Sequence, residues 1–129
     1  RYAFRVSGNS FYRLLLLVIL ITAFLSMWLS NIAAAALMIA CLRPAFNGLS
    51  ESDLLRRTLL IGVALGADLG GMATPIGTGP NAVAIASLAD TVHVSFIGWM
   101  AFAFPLTAGM LLLGFGLLWL RTRGRVARE

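Results

Sequence analysis

Three stretches of this sequence are almost empty of charge: Leu14 to Leu42 and Val94 to Leu120 carry no Asp, Glu, Lys or Arg, and Thr58 to Ala89 carries only Asp68. Each is longer than the ~20 residues with which a helix crosses the hydrocarbon core of a bilayer. A hydrophobic fraction of 60% and a charged fraction of 12% agree with that solvent, since a soluble domain has about 25% charged residues. An all-α membrane protein is the fold this dictates. The chain starts at Arg1 without an initiator methionine and reads as a piece of a longer polytopic protein of the inner (plasma) membrane.

The net charge of +5 comes from ten arginines. They occupy only the flanks of the apolar stretches, which excludes a nucleic-acid stripe and makes them topology markers. Arg1 to Arg13, Arg43 to Arg57 and Arg121 to Arg128 belong on the cytoplasmic side, whereas Ala89 to Ser95, with Asp90 and no arginine, faces outward. A single crossing over Leu14 to Leu42 would split the arginines between two sides. A re-entrant hairpin over residues 11–42, turning at Ser30-Asn31, keeps them together. Its arms, Leu14 to Leu29 and Ile32 to Leu42, would be roughly 24 and 16 Å long, with Pro44 ending the second.

Residues 54–89 read as one crossing made of two half-helices, capped at its start by Ser50 or Ser52 and broken between Gly70 and Asn81. Residues 96–120 form a further transmembrane helix with interfacial anchors at Trp99 and Trp119, and 121–129 is a basic cytoplasmic tail. A membrane segment containing Gly70, Gly71, Pro75, Gly77, Gly79 and Pro80 cannot be a plain structural helix, because irregular backbone at depth must be buried in protein or line a wet cavity. Two interrupted segments are the sequence pointer to a transporter's ion and substrate site. Free N–H groups at one half-helix start suit an anion, and free carbonyls at the other end suit a cation. Covalent chemistry has no candidates: Cys41 and His93 are each alone, no carboxylate pair lies near the breaks, and neither enzyme activity nor an organic cofactor is expected.

Two motifs sit at the breaks. Ala23-Phe24-Leu25-Ser26-Met27-Trp28-Leu29-Ser30-Asn31 resembles the Ser-Asn-Thr signature of the divalent anion sodium symporters with its upstream context. Gly70-Gly71-Met72-Ala73-Thr74-Pro75-Ile76-Gly77-Thr78-Gly79-Pro80-Asn81 resembles their Gly-Gly segment ending in Gly-Thr-Pro-Pro-Asn. Val94 to Met100 is similar to the opening of the helix that follows. The resemblance implies a homodimeric elevator transporter of two inverted repeats, in which this chain is the first-repeat half of the transport domain and the remaining half of the transporter chain supplies the rest of the site. It also implies sodium-coupled symport of a dicarboxylate, citrate or sulfate. Sodium would meet Ser26, Ser30, Asn31 and the backbone at Gly77; the anion would meet Asn31, Ile32, Thr78, Gly79, Pro80 and Asn81.

Three departures stand out: Ile32 where the signature has threonine, Gly79 where it has the first proline, and Asp68, a carboxylate at membrane depth. Loss of the threonine hydroxyl points to a smaller or less highly charged anion, or one with an apolar group. Asp68 opens an alternative, a proton-coupled or antiporting ion transporter with Asp68 as proton carrier. A further alternative is a non-transporting membrane assembly protein. The arginine count predicts that in a Cys41-free full-length protein, single cysteines at Phe46 and Arg125 react with an impermeant thiol reagent only from the cytoplasm, and one at Val92 only from outside. Labelling of the first two from opposite sides would rule out the hairpin.

Overall fold

The computed structural model describes residues 8–47, 50 and 53–126. These fold into five helices with no strand among the described residues: α1 (Gly8–Ser26), α2 (Asn31–Phe46), α3 (Leu54–Met72), α4 (Gly79–Leu88) and α5 (Phe96–Val126). The all-helical expectation holds. α5 is long and apolar enough over Phe96–Gly124 to cross a membrane, while the apolar parts of α1 and α2, Phe11–Ser26 and Asn31–Phe46, are shorter.

The closest helix contact is between α1 and α3, and its cause is a stripe of glycines. Gly62, Gly66 and Gly70 recur every fourth residue and so share one face of α3. A Cβ at Gly62 would come to 2.8 Å from the Leu15 side chain, and one at Gly66 to 2.6 Å from the Ile19 carbonyl oxygen. At Gly70 it would enter the backbone of Ala23. Leu15, Ile19 and Ala23 meet the three glycines in the same chain order, so the two helices run parallel. Small residues allow this approach, and in lipid such packing replaces the hydrophobic drive that water would supply.

α2 returns from α1 after the four residues 27–30 and packs against both α1 and α3. α5 runs back along α3 and α1, with Leu65 against Gly114 and Tyr12 reaching Thr122 through a 3.3 Å hydrogen bond. The shared core consists of Phe11, Leu15, Val18, Ile19 and Ala23 of α1, Met38 and Leu42 of α2, Leu59 and Val63 of α3, and Leu111 and Leu118 of α5. Many large apolar residues stay on the outside, among them Ile32, Ile97, Phe102, Leu113 and Leu117. Buried hydroxyls bond backwards along their own helices, Thr22 to Val18 O, Thr58 to Leu54 O and Thr122 to Leu118 O, and so require no water.

This arrangement collects arginines at one end of the bundle. Arg43 and Arg56 line one cleft with Phe46, and the Arg56 guanidinium lies 5.5 Å from the Phe46 ring centre. Tyr12 and Arg13 line another with Trp119, over which the Arg123 guanidinium sits at 5.1 Å. The opposite end holds the α1–α2 turn, the end of α3 and the start of α5.

Several boundaries differ from expectation. α2 continues through Pro44 to Phe46, where the Asn47 N–H reaches back to Pro44 O. The arms α1 and α2 contain 19 and 16 residues, about 28 and 24 Å at helical rise, both longer than the sequence implies. Asp53, not Ser50, is the N-cap of α3, and its carboxylate accepts the Ser50 N–H at 2.6 Å; Ser52 lies outside the described residues. Gly70 and Gly71 do not break α3, which continues to Met72, because their role is to let other chain segments touch the helix. α5 runs past Leu120 into the basic segment.

The stripe predicts a graded cost. Gly70→Leu should destabilise by at least the ~1–3 kcal/mol of core overpacking, read as a lowered melting temperature of the purified full-length protein. Gly116→Ala, with nothing within 4 Å of the added carbon, should leave that temperature unchanged.

Candidate functional site at the helix breaks

The two interruptions of helix, residues 27–30 and 73–78, lie against each other. Ser30 is extended at φ −63° and ψ 149° and caps α2, its Oγ accepting the Ala33 N–H at 3.2 Å. Asn31 is the first residue of α2. Ser26 closes α1 and is fully buried, with its Oγ 2.6 Å from Ala67 O and 2.8 Å from Asn31 Oδ1. Asn31 Nδ2 is directed at Asp68 Oδ1, 3.4 Å away.

Glycine makes room here as it does along α1. A Cβ at Gly71 would occupy the place of Asn31 Oδ1, and one at Gly77 would enter the backbone of Gly71. Thr74, also fully buried, donates from Oγ1 to Met27 O at 2.6 Å and so ties the α3 break to the hairpin turn. Asn81 Nδ2 donates to Gly71 O at 3.0 Å and to Thr74 O at 2.8 Å. Trp99 Nε1 donates to Met72 O at 3.1 Å.

The end of α3 therefore differs from the expectation of free carbonyls. Gly70 O accepts from Ala73 N, Gly71 O from Asn81 and Met72 O from Trp99. Each carbonyl keeps a second lone pair, but each is already fixed in direction by a donor. Trp99, expected as an interfacial anchor, also ties the start of α5 to the end of α3. At the start of α4, Thr78 is extended and makes no side-chain cap; Pro80 in the first turn has no N–H to give, and the Asn81 N–H turns back to Thr78 O at 3.2 Å.

The structure brings Ser26, Asn31 and Gly77 together around Gly71, and engages the Ser30 hydroxyl in capping α2. Thr78, Gly79 and Pro80 sit at the head of α4, with Gly79 and Pro80 exposed. Ile32 is 83% exposed, next to Asn31 on the open side. Asn81 is turned inward with both amide hydrogens engaged. Thr74, Trp99, and Gly62 and Gly66 of the packing stripe are contributors that motif reading passed over; the four-residue glycine spacing was the available signal for the last two. Among the described residues no three His, Cys, Asp or Glu side chains gather as they would for a metal ion.

Two helix breaks are thus stitched together by polar side chains inside an apolar bundle. A profile of the citrate transporter family matches residues 1–128, and the chain belongs to that family. It is 36% identical over 118 residues to an uncharacterized transporter of Haemophilus influenzae, covering 88% of this chain and 24% of that protein. It is 36% identical over 107 residues to the inorganic phosphate transporter PHO87 of Saccharomyces cerevisiae, covering 82% of this chain and 11% of the relative. With the Na(+)/citrate cotransporter of Mus musculus it shares 28% identity over 161 residues, 88% of this chain and 28% of the relative. The chain thus spans between 11% and 28% of the length of these relatives, each of which is named a transporter or cotransporter. No solved structure matches it.

The double hydrogen bond of Asn81 predicts that Asn81→Ala in the full protein, which frees Gly71 O and Thr74 O inside the site, costs about 1–3 kcal/mol in stability per buried unsatisfied group. Melting curves check the stability, and uptake assays should show transport falling in parallel. Asn81→Ala with a wild-type melting temperature would refute the clasp.

Proposed function

We propose that the full-length protein is a sodium-coupled symporter of a small anion of the dicarboxylate, citrate or sulfate class, to which the names of its relatives add phosphate. The observation that carries this is the cluster of Ser26 Oγ, Asn31 Oδ1 and Ala67 O beside the uncapped start of α4. Hard cations take oxygen ligands, and a helix start attracts anions, so cation and anion would be held side by side. Ser26, Ser30, Asn31 and the backbone at Gly77 are the proposed sodium ligands. Asn31, Thr78, Gly79, Pro80 and Asn81 form the proposed anion side, Asn81 through its effect on the loop and Ile32 as an apolar wall that favours a compact anion.

In this reading α1 and α2 are a re-entrant hairpin entering from the arginine-bearing side, and the remaining chain contributes an inverted counterpart that completes the site. The transport domain would slide within a homodimer, carrying both ligands across in an elevator motion. A proton-coupled carrier using Asp68 is the second reading, favoured by the contact of Asp68 with Asn31.

Uptake of labelled citrate, succinate, sulfate and phosphate into proteoliposomes holding the full-length protein, with imposed sodium or proton gradients, tests the proposal. At least one anion should enter with sodium and not with choline, and Ser26→Ala or Asn31→Ala should abolish the sodium-stimulated part. Uptake that ignores sodium but collapses with the proton gradient and with Asp68→Asn would establish the proton-coupled reading instead. No uptake of any of the four under either gradient would favour an assembly role.

A further inference from the structure

Three oxygens meet at the hairpin turn with too few hydrogens among them. Ser26 Oγ lies 2.6 Å from Ala67 O and 2.8 Å from Asn31 Oδ1, and neither of those atoms carries a hydrogen. A serine hydroxyl has a single proton. It can serve one neighbour at full strength, which leaves the other oxygen facing a lone pair, or it divides itself between the two. Turning the Asn31 amide over would remove the deficit: Nδ2 would donate to Ser26 Oγ, and the hydroxyl would keep its proton for Ala67 O.

Asp68 opposes that turn. The Asn31 Nδ2 group faces Asp68 Oδ1 at 3.4 Å, long for a hydrogen bond. Yet the choice between orientations rests on sign rather than length. Turned over, the amide oxygen would face a carboxylate oxygen, negative against negative; as it stands, the amide hydrogens face it. Gly71 gives the inward-pointing oxygen its space, because any Cβ there would displace it.

We infer that Asp68 is a positioning residue, whose charge holds the Asn31 amide oxygen inward so that Asn31 Oδ1, Ser26 Oγ and Ala67 O form a proton-poor cluster that a sodium ion completes. The ion supplies the positive charge that the missing hydrogen does not. Asp68 itself need not touch the ion, and its carboxylate also offsets the charge of an ion bound among neutral ligands. The inference rests on the sodium-coupled reading above and adds to it a residue outside the two break motifs.

The test measures the sodium concentration for half-maximal uptake and for half-maximal thermal stabilisation of the purified full-length protein. Asp68→Asn should raise both by about tenfold or more, the scale of losing one hydrogen bond to a charged group, with uptake recovering at high sodium. The exchange Asn31→Asp with Asp68→Asn places two oxygens at 31 and an N–H donor at 68. It should return the sodium concentration for half-maximal thermal stabilisation, measured without the anion, to within about threefold of wild type, a difference smaller than one such bond. A merely structural Asp68 would not be rescued by moving its charge. If Asp68→Asn does not yield a monodisperse protein, Asp68→Ser and the exchange are read in the same way. A sodium response in the wild type that neither substitution shifts, or an exchange no better than the single variant, overturns the positioning role alone. A wild type without any sodium response overturns the sodium-coupled reading and this inference with it.

Discussion

Gly70 pressed onto the backbone of Ala23 is the contact from which the rest of the arrangement follows. Where the two backbones touch at Gly70 no side chain fits between the helices, so polar atoms just beyond the contact come into mutual reach. Ser26, one turn past Ala23, meets the Ala67 carbonyl, and Thr74, one turn past Gly70, meets the Met27 carbonyl. Inside a bilayer such bonds have no water to compete with them, and an unmade bond there leaves a polar group desolvated at a cost of several kcal/mol. Register between α1 and α3 is thereby fixed twice, by shape along the glycine stripe and by hydrogen bonds at its end. Both helix breaks come to rest at the same height.

The sequence made the helical class legible because membrane solvation acts on whole segments: charge-free stretches of sufficient length admit little else. It also exposed the two interruptions, since Ser30-Asn31 and the glycine-proline run are foreign to a plain membrane helix. What escaped was the direction in which individual groups point. Gly70 and Gly71 read as helix breakers, although glycine weakens a helix only modestly and lipid leaves the backbone no alternative partner; close approach of Ala23 and Asn31 is what they provide. Asn81 and Trp99 read as a ligand and a surface anchor because motif and position suggest those roles. Only the fold shows that each donates to a carbonyl at the end of α3. Side-chain hydrogen bonds between residues far apart in sequence have no periodicity to betray them.

The satisfied end of α3 also qualifies a general picture of broken helices as pairs of open half-helix dipoles. Here one end is closed by Asn81 and Trp99, while the other, at Thr78, has no side-chain cap. The carbonyl end of α3 is fixed in direction by the protein's own side-chain donors, whereas the start of α4 is closed only by its own backbone, with Pro80 offering no N–H and the Asn81 N–H turned back to Thr78 O.

α4 buries only Asn81. A helix joined to its surroundings through one amide has almost no packing energy of its own, and ten residues are too few for independent helical stability in water. α1, α2, α3 and α5 share a core and hold one another in place, whereas α4 keeps its position through the two bonds that Asn81 gives to Gly71 O and Thr74 O.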